Sequence, residues 1–240
     1  MAFAAGQKRE ILARLPLFAG LGAREIEALA AVTRSQRVAA RDELFHKGDA
    51  GTQVYAVVEG TLKVVTTSDE GDDVVLNLLD PGAVIGEVAV FCNAARSASV
   101  VALTDCELLA IERRDLLAFL RSHPDASLAL MSVLAGRLRS LSELVEDTLF
   151  LNLPVRLAKK LIALAETHGQ RTPEGLRIEL KLSQGEWGDL VGATRESINK
   201  QLRTWGEAGL VRLHQGYLVI RRPERLAAIA DAVDDRRRGG

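Results

Sequence analysis

Cysteine is scarce in this 240-residue sequence, which contains only Cys92 and Cys106. The two residues are too far apart for a redox pair or a zinc motif, so free thiols in a reducing compartment are the simplest interpretation. An iron–sulfur cluster held by one subunit needs four cysteine ligands, which this chain does not have. The histidines show no spacing that indicates a haem ligand. We therefore expect no metal centre and no prosthetic group.

Long hydrophobic runs are also missing. No apolar segment approaches the roughly 18 residues of a membrane span, and residues 1–10 lack the basic start and long apolar stretch of a signal peptide. We therefore expect a cytoplasmic protein with no membrane partner. Because 48% of the residues are hydrophobic and the chain exceeds one average domain, it should form two domains, each with its own core.

The net charge is only −1, but the charges are unevenly distributed. Residues 1–150 carry 15 Lys+Arg against 21 Asp+Glu, whereas residues 151–240 carry 16 against 11. A basic C-terminal third suits a polyanion such as double-stranded DNA, although surface charge also varies for reasons of solubility. The asymmetry therefore needs a motif to indicate a function.

Short β-rich segments separated by turn signals fill the region between Arg37 and Ile111. The predicted strands are 43–46, 54–59, 62–67, 74–79, 98–102 and 106–111. Strands repeating about every ten residues predict an antiparallel roll or barrel. Two short helices are expected before it, between Gln7 and Val32.

A long helix is predicted over 125–151, with Pro124 suited to its start and Pro154 following its end. Side chains at alternating three- and four-residue steps form a heptad seam, which consists of Met131, Leu134, Leu138, Leu141, Val145 and Thr148. Such a seam predicts a parallel coiled coil with a second copy of the chain. The alternative is a helix packed only on its own roll. We favour the homodimer because a second apolar face, made of Leu128, Leu130 and Leu144, is left to cover the roll.

The region after residue 152 has the pattern of a small α/β unit. It begins with a helix at 155–168, a polar loop at 169–175 and a strand at 176–180. Farther along, two β-rich stretches at 210–213 and 217–220 form a hairpin wing. Its neighbouring arginines are placed to touch phosphates or to serve as surface charge: Arg212, Arg221 and Arg222.

Between the strand and the wing, caps and a glycine predict a helix-turn-helix. Ser183 and Glu186 form an S-x-x-E capping box, which fixes the start of a first helix. Gly192 can turn with a positive φ, and Thr194 stands at the cap of a second helix. Two capped helices joined by a glycine turn are typical of the DNA-binding motif.

The second helix has a packed side with Ile198, Leu202 and Trp205 at steps of four and three. The polar side chains that point the other way are Arg195, Glu196, Asn199, Lys200 and Arg203. In a major groove, Arg can fork onto guanine, Asn onto adenine, and Glu can accept from cytosine. The alternative is an ordinary solvated helix face. We favour the DNA-binding interpretation because the caps, the turn glycine and the buried stripe have the spacing that a helix-turn-helix requires. Three residues at the helix starts complete the predicted DNA-binding set: Ser183, Gln184 and Thr194.

A candidate ligand site lies within the predicted roll, where two short polar motifs bracket an apolar segment. Its residues are Gly86, Glu87, Arg96, Ser97 and Ala98. They suit a phosphorylated sugar, because Arg96 can fork onto a phosphate, Ser97 can donate to it, and Glu87 can accept from a ribose hydroxyl. A plain Glu–Arg salt bridge is an equally good interpretation of the same residues.

The segment VIGEVAVFCNAARSASV, the heptad helix and the segment GATRESINKQLR occur in this order. Together they resemble the cyclic-AMP receptor protein (CRP/FNR) family of bacterial regulators over essentially the whole chain. The resemblance implies an α+β fold with an N-terminal antiparallel β-roll of the cyclic-nucleotide-binding type, a long dimerisation helix and a C-terminal winged helix-turn-helix. The corresponding predicted domains are 1–123, 124–152 and 153–240.

The resemblance also implies roles for particular residues. Gly86, Glu87, Arg96 and Ser97 would form the phosphate-binding cassette. Leu141 and Ser142 would approach the nucleotide base, the second of them across the dimer. The base-contacting positions on DNA would be Arg195, Glu196 and Lys200. Leu141 departs from the family, because the cyclic-AMP receptor has a hydroxyl residue there and Leu cannot donate a hydrogen bond.

We therefore expect a regulator that is not an enzyme, needs no cofactor and senses a cyclic nucleotide, with cyclic AMP (cAMP) favoured. It would bind palindromic operators as a homodimer and act together with RNA polymerase. The first alternative is a DNA-binding regulator that is active without a cyclic mononucleotide or senses another ligand, such as a cyclic dinucleotide. The second is a cyclic-nucleotide-binding subunit of an enzyme, or an enzyme itself, but the sequence shows no nucleophile–base–acid arrangement and the helix-turn-helix would be superfluous.

Overall fold

The computed structural model describes residues 3–15, 18, 21–67 and 73–231. The chain divides into two compact units, residues 1–140 and 141–240. The first unit contains helices and strands in this order: α1 (Ala5–Arg14), α2 (Ala23–Val32), β1 (Thr33–Val38), β2 (Glu43–Phe45), β3 (Gln53–Glu59), β4 (Leu62–Thr67), β5 (Asp73–Leu79), β6 (Val84–Ile85), α3 (Glu87–Cys92), β7 (Ser99–Ala102), β8 (Cys106–Glu112) and α4 (Arg113–Ser122). Helix α5 (Pro124–Phe150) follows and continues into the second unit.

The strands of the first unit form two four-stranded sheets with orders β1-β8-β3-β6 and β2-β7-β4-β5. Every pairing in both sheets is antiparallel. The antiparallel β-roll predicted from the regular strand spacing is thus confirmed.

Strand β3 is covered on both of its faces. Tyr55 and Val57 belong to one cluster of buried side chains, which contains residues from both sheets. Val54 and Ala56 point to the opposite face and join a second cluster with residues of the surrounding helices. Side chains alternate along a strand, so an uninterrupted apolar run buries both faces. The roll therefore has a core between its sheets and another beneath its helices.

The structure adds elements that the sequence pattern did not predict in this unit. Strand β1 begins before Arg37, and the polar side chains among its residues follow from its edge position in the sheet. Helix α3 lies within the predicted roll, directly after the two-residue strand β6. Residues in the left-handed region bound this helix, with Gly86 at φ 87° and Asn93 at φ 51°. A six-residue helix is too short to show a helical period, so no sequence pattern indicated it.

Helix α5 confirms the long helix predicted over 125–151, with each end shifted by one residue. Ala126 and Leu130 are buried in the cluster beneath the helices, as expected for Leu130. The prediction that Leu128 helps to cover the roll is wrong, because its side chain is 60% exposed. Ala126 occupies the packed face instead, one turn before Leu130, as four-residue spacing requires.

The second unit contains α6 (Leu153–His168), β9 (Gly169–Thr172), β10 (Gly175–Ile178), α7 (Gln184–Val191), α8 (Arg195–Glu207), β11 (Val211–His214), β12 (Tyr217–Ile220) and α9 (Pro223–Asp231). Its strands form an antiparallel sheet in the order β11-β12-β10-β9. The predicted loop at 169–175 is wrong, since its first four residues form β9 and pair with β10. A polar sequence on an edge strand resembles a loop, because one side of the strand faces solvent.

Among the described residues, none of the helices combines the length and the apolar character needed to cross a lipid bilayer.

Candidate functional site

Gly86 is the first residue of the candidate ligand site. It follows β6 and caps α3 in a left-handed conformation. A Cβ atom at this position would lie 2.4 Å from Nη1 of Arg96 and 2.9 Å from the carbonyl oxygen of Gln53. Only glycine fits such a close approach at a positive φ without strain. The Gly86 backbone and the Arg96 side chain are therefore in close packing contact.

Arg96 is 4% exposed, and its guanidinium contacts backbone and aromatic groups. Nη1 donates to the carbonyl oxygen of Gly86 at 2.9 Å, and Nη2 donates to that of Gln53 at 2.8 Å. The guanidinium carbon lies 4.1 Å from the ring centroid of Phe45 and 5.7 Å from that of Tyr55. These two rings stack on each other with centroids 6.0 Å apart. The cation is thus held by carbonyl dipoles and aromatic faces.

Burial lowers the pKa of Arg96 from its ordinary value, and the nearby Tyr55 opposes that shift. Burial likewise raises the pKa of Tyr55, whose hydroxyl donates to Oε1 of Gln53 at 2.8 Å. Nε of Arg96 is buried and has no hydrogen-bond partner. A buried donor without an acceptor is costly, so this atom favours an anionic ligand that would accept from it.

Glu87 is 4% exposed and forms an ion pair with Arg137 of α5. Arg137 also donates to the carbonyl oxygen of Val84. The salt bridge considered from the sequence, between Glu87 and Arg96, is therefore replaced by a bridge to another arginine. Sequence reasoning missed Arg137 because its partner is far away along the chain. One signal was available in the sequence: Arg137 lies four residues before Leu141, a predicted ligand-site residue, and therefore on the same face of the helix.

The other predicted ligand-site residues differ in exposure. Ser97 is exposed, next to the buried Ala98. Leu141 is 44% exposed on α5, and Ser142 is exposed beside it. The roles of these four residues at a nucleotide stay predictions.

The helix-turn-helix has the capping interactions predicted from the sequence. Ser183 accepts from the backbone N–H of Glu186 at 3.2 Å, and the Glu186 carboxylate accepts from that of Ser183 at 2.9 Å. Gly192 ends α7 at φ 65°. Thr194 then caps α8 by accepting from the backbone N–H of Ser197 at 3.3 Å. The reciprocal pair at Ser183 and the single bond at Thr194 cap the starts of the two helices.

The two faces of α8 are sorted as the helical spacing predicts. Ile198, Leu202 and Trp205 are buried, and they face the second unit's core. The predicted DNA-binding side chains of α8 are all exposed: Arg195, Glu196, Asn199, Lys200 and Arg203. Gln184 of α7 is half-buried, and its Nε2 lies 3.5 Å from Oδ1 of Asn199. The exposed polar surface therefore consists mainly of α8 side chains, and Gln184 of α7 lies beside it.

Strands β11 and β12 form the predicted wing, with a turn that contains Gln215 at φ 51° and Gly216 at φ 85°. Arg221 and Arg222 follow β12 and are exposed. Arg212 on β11 is also exposed and pairs with Glu174 at 3.1 Å.

No group of three or more histidine, cysteine or acidic side chains is arranged to hold a metal ion within the part of the chain that the structure describes. Cys92 is exposed and Cys106 is buried, and both are free thiols.

Comparison with known protein families gives two matches. Residues 35–123 match the family described as "Cyclic nucleotide-binding domain", which covers most of the β-roll. Residues 155–229 match the "Crp-like helix-turn-helix domain", which covers α6 through most of α9. The two matches contain the candidate cassette and the exposed face of α8, respectively.

Characterised relatives match over nearly their full length. The "CRP-like cAMP-activated global transcriptional regulator" of Mycobacterium tuberculosis is 31% identical over 218 residues, which are 91% of this chain and 97% of that protein. The "Cyclic AMP receptor protein" of Thermus thermophilus is 32% identical over 215 residues, covering 90% of this chain and 96% of that protein.

Among solved structures, the c-di-GMP responsive global regulator CLP of Xanthomonas campestris matches with a TM-score of 0.74 and 25% identity. The match covers 83% of this chain and 99% of that one. The cyclic-nucleotide-binding roll, the Crp-like helix-turn-helix and relatives above 30% identity agree on one assignment. This chain therefore belongs to the CRP/FNR family of DNA-binding transcription regulators.

Proposed function

We propose that this regulator binds cAMP in the cassette formed by Gly86, Glu87, Arg96 and Ser97. The observation that carries the proposal is the buried Nε of Arg96, which has no acceptor. A phosphate oxygen would supply that acceptor once the guanidinium turns out of its buried position, where Nη1 and Nη2 donate to backbone carbonyls. The exposed Ser97 hydroxyl next to Arg96 can donate to the same phosphate. The Glu87 carboxylate, held by Arg137, supplies an acceptor for a ribose hydroxyl. The residues present thus fit a cyclic nucleotide.

We infer that the active form is a homodimer that pairs through α5. Side chains of the heptad seam are strongly exposed, with Met131 at 55%, Leu138 at 67% and Val145 at 57%. Burying such apolar side chains is favourable, and an identical helix presents the matching seam. Leu138→Glu should therefore give monomers in sedimentation velocity. Ser140→Glu, at an exposed position of α5 outside the seam, should leave the dimer intact.

The proposed DNA contact uses the exposed edge of α8. In a twofold dimer, two copies of this helix would face successive major grooves about 34 Å apart and bind a palindromic operator. Exposed Arg195 and Lys200 supply donors for base edges, while Arg221 and Arg222 suit phosphates. RNA polymerase is the partner expected of such a regulator.

Nucleotide binding would activate the protein by favouring one arrangement of the dimer over another. A ligand shifts this equilibrium only through unequal affinity for the two arrangements. Moving from mostly inactive to mostly active protein takes about a 10⁴-fold preference.

The test combines calorimetry with DNA binding. cAMP should bind wild-type protein, and Arg96→Gln should lose most of that affinity, while Arg24→Ala, an exposed arginine of α2, should not. Operators selected from random DNA in the presence of cAMP should then bind more tightly with cAMP than without it at fixed salt. An unchanged DNA affinity would remove cAMP as the activating ligand.

A cyclic dinucleotide is the second candidate ligand. Leu141 lacks the hydroxyl that the cyclic-AMP receptor uses at this position, and the regulator CLP of Xanthomonas campestris, a structural relative, is described as c-di-GMP responsive. Calorimetric titration of the protein with c-di-GMP and, separately, with cAMP shows which of the two nucleotides it binds. DNA binding that is complete without either nucleotide would favour a regulator that needs no such ligand.

A further inference from the structure

The first unit contains a basic cleft whose lining residues lie outside the cassette. Its volume is about 660 Å³, within the range of roughly 300–1,000 Å³ that is typical of small-molecule sites. Four arginines line it, together with a single glutamate: Arg34, Arg113, Arg114, Arg121 and Glu112. Its lining therefore has a formal charge of +3 in a protein whose N-terminal part is acidic overall.

The fold brings these arginines together from two elements. Arg34 lies on β1, opposite Ala110 of β8 in the strand register. Strand β8 leads directly into α4, where Arg114, Leu117 and Arg121 recur at steps of three and four. Residues at these steps share one helix face. Guanidinium groups from a strand and a helix thus line the same cleft.

Little negative charge is available to neutralise them. The Glu112 carboxylate accepts from Nε2 of Gln53 at 2.6 Å. Arg114 has an ion pair with its neighbour Asp115 at 3.1 Å, and the Arg114 side chain is 89% exposed. Within the described residues, the guanidinium groups of Arg34 and Arg121 take part in no ion pair or hydrogen bond. The cleft therefore has more cationic donors than the protein satisfies.

The position of two arginines is also unfavourable for the helix itself. Arg113 and Arg114 occupy the first turn of α4, where the helix dipole disfavours positive charge. Arg113 is held there, because its Nε donates to the carbonyl oxygen of Val90 at 2.9 Å. An anion in the cleft would relieve this repulsion.

We propose that this cleft binds a compact polyanion, namely a small molecule with at least two phosphate groups such as a nucleoside polyphosphate. Guanidinium groups bind phosphate oxygens in a bidentate geometry. Two guanidinium groups that have no partner among the described residues, with two further arginines beside them, suit a ligand with at least two phosphates. Leu117 adds an apolar lining on which a nucleoside ring can pack. The proposal does not depend on what the cassette binds.

The experiment is titration calorimetry of the full-length protein with two probes, inorganic triphosphate and ATP. Both should bind, and the affinity should fall as the salt concentration rises. Arg34→Ala and Arg121→Ala should each weaken binding by about tenfold or more, as expected for a hydrogen-bonded charge. Both are surface changes, and Arg24→Ala on α2 is the matched control that should bind normally.

Two further variants separate the cleft from the other anion-binding surfaces. Ser97→Asp places a negative charge in the cassette, and Arg195→Ala removes a cation from α8; both should bind triphosphate as wild type does. The proposal is overturned if neither probe binds, or if these two variants lose binding while the cleft variants retain it. Binding of a hexaglutamate peptide without binding of triphosphate would also overturn it, in favour of an acidic protein surface.

Discussion

Arg137 of α5 forms an ion pair with the Glu87 carboxylate, which is almost completely buried at the start of α3. The bridge ties the long helix to the candidate cassette within the first unit. The same guanidinium donates to the carbonyl oxygen of Val84, so one side chain binds both the strand before Gly86 and the residue after it. A ligand that competes for Glu87 would therefore act on α5 directly.

Arg137→Gln should destabilise the protein more than Glu87→Gln does. Removing the arginine leaves a buried carboxylate without its counterion, whereas removing the glutamate charge leaves an arginine whose side chain is 23% exposed. We expect the free energy of unfolding to fall by about 2–3 kcal/mol for Arg137→Gln and by about 1 kcal/mol for Glu87→Gln. Urea denaturation measures both, with Arg139→Gln as an exposed control on the same helix. The reverse order would show that the Glu87 carboxylate is well solvated.

Gly86→Ala should destabilise the first unit by about 1–3 kcal/mol, the range for a non-glycine residue held in a strained conformation. The added methyl group would also collide with the Arg96 guanidinium. Gly48→Ala is the matched control, because Gly48 has φ 96° but open space around its Cβ position. Urea denaturation measures the free energy of unfolding of both variants. The amount by which Gly86→Ala loses more than Gly48→Ala is the cost of the contact with Arg96. Equal losses in the two variants would mean that Arg96 moves aside at no cost.

Phe45→Leu should weaken the hold on the Arg96 guanidinium. The ring of Phe45 lies under that cation at 4.1 Å, and a cation–π contact contributes about 0.5–2 kcal/mol. We expect a loss of unfolding free energy in this range and weaker cyclic nucleotide binding in calorimetry. Phe45→Tyr keeps the aromatic face and should retain both properties. If Leu and Tyr behave alike, the ring acts only through its apolar area.

Arg195→Ala and Arg221→Ala should affect DNA binding differently. A side chain that reads a base edge discriminates by about 1–3 kcal/mol at a single position, so Arg195→Ala should relax specificity there. Arg221→Ala should weaken binding to all sequences and reduce its salt dependence. Binding to a panel of single-base operator variants at several salt concentrations distinguishes them. Identical behaviour of the two variants would contradict the assignment of α8 as the recognition helix.

Thr194→Ala should shorten or loosen the start of α8. The hydroxyl of Thr194 satisfies the backbone N–H of Ser197, and loss of such a cap costs about 0.5–2 kcal/mol. Thr194→Ser retains the capping oxygen and serves as the control. Amide hydrogen exchange of the first turn of α8 should therefore accelerate in Thr194→Ala and not in Thr194→Ser. Unchanged exchange in both would mean that packing alone holds this turn.

The helix-turn-helix could be read from the sequence because its signals are local. Capping residues, a turn glycine and a three-four apolar stripe all act within one or two helical turns. Ser183, Thr194, Gly192 and the buried stripe of α8 accordingly have the predicted positions in the structure. The antiparallel roll and the long helix were predictable for the same reason, since strand spacing and heptads are short-range patterns.

The environment of the candidate ligand site was not predictable in this way. Arg96 is surrounded by Phe45, Tyr55 and Gln53. These residues belong to strands β2 and β3, and the sequence alone does not show that the two strands lie next to Arg96. The sequence likewise did not indicate Arg137 as the partner of Glu87, because the two residues are 50 positions apart along the chain. The convergence of four arginines on one cleft depends on the register of β1 against β8.

The sequence by itself determined the antiparallel roll, the long helix, the helix-turn-helix with its wing, their order along the chain and the family, because periodicity, caps and motif order are properties of neighbouring residues. The tertiary structure alone decided which groups meet: which arginine neutralises Glu87, which donor of Arg96 lacks an acceptor, and where cationic side chains converge. The physical reason is that burial and charge pairing depend on distances in space, which antiparallel strand pairing sets between residues far apart along the chain.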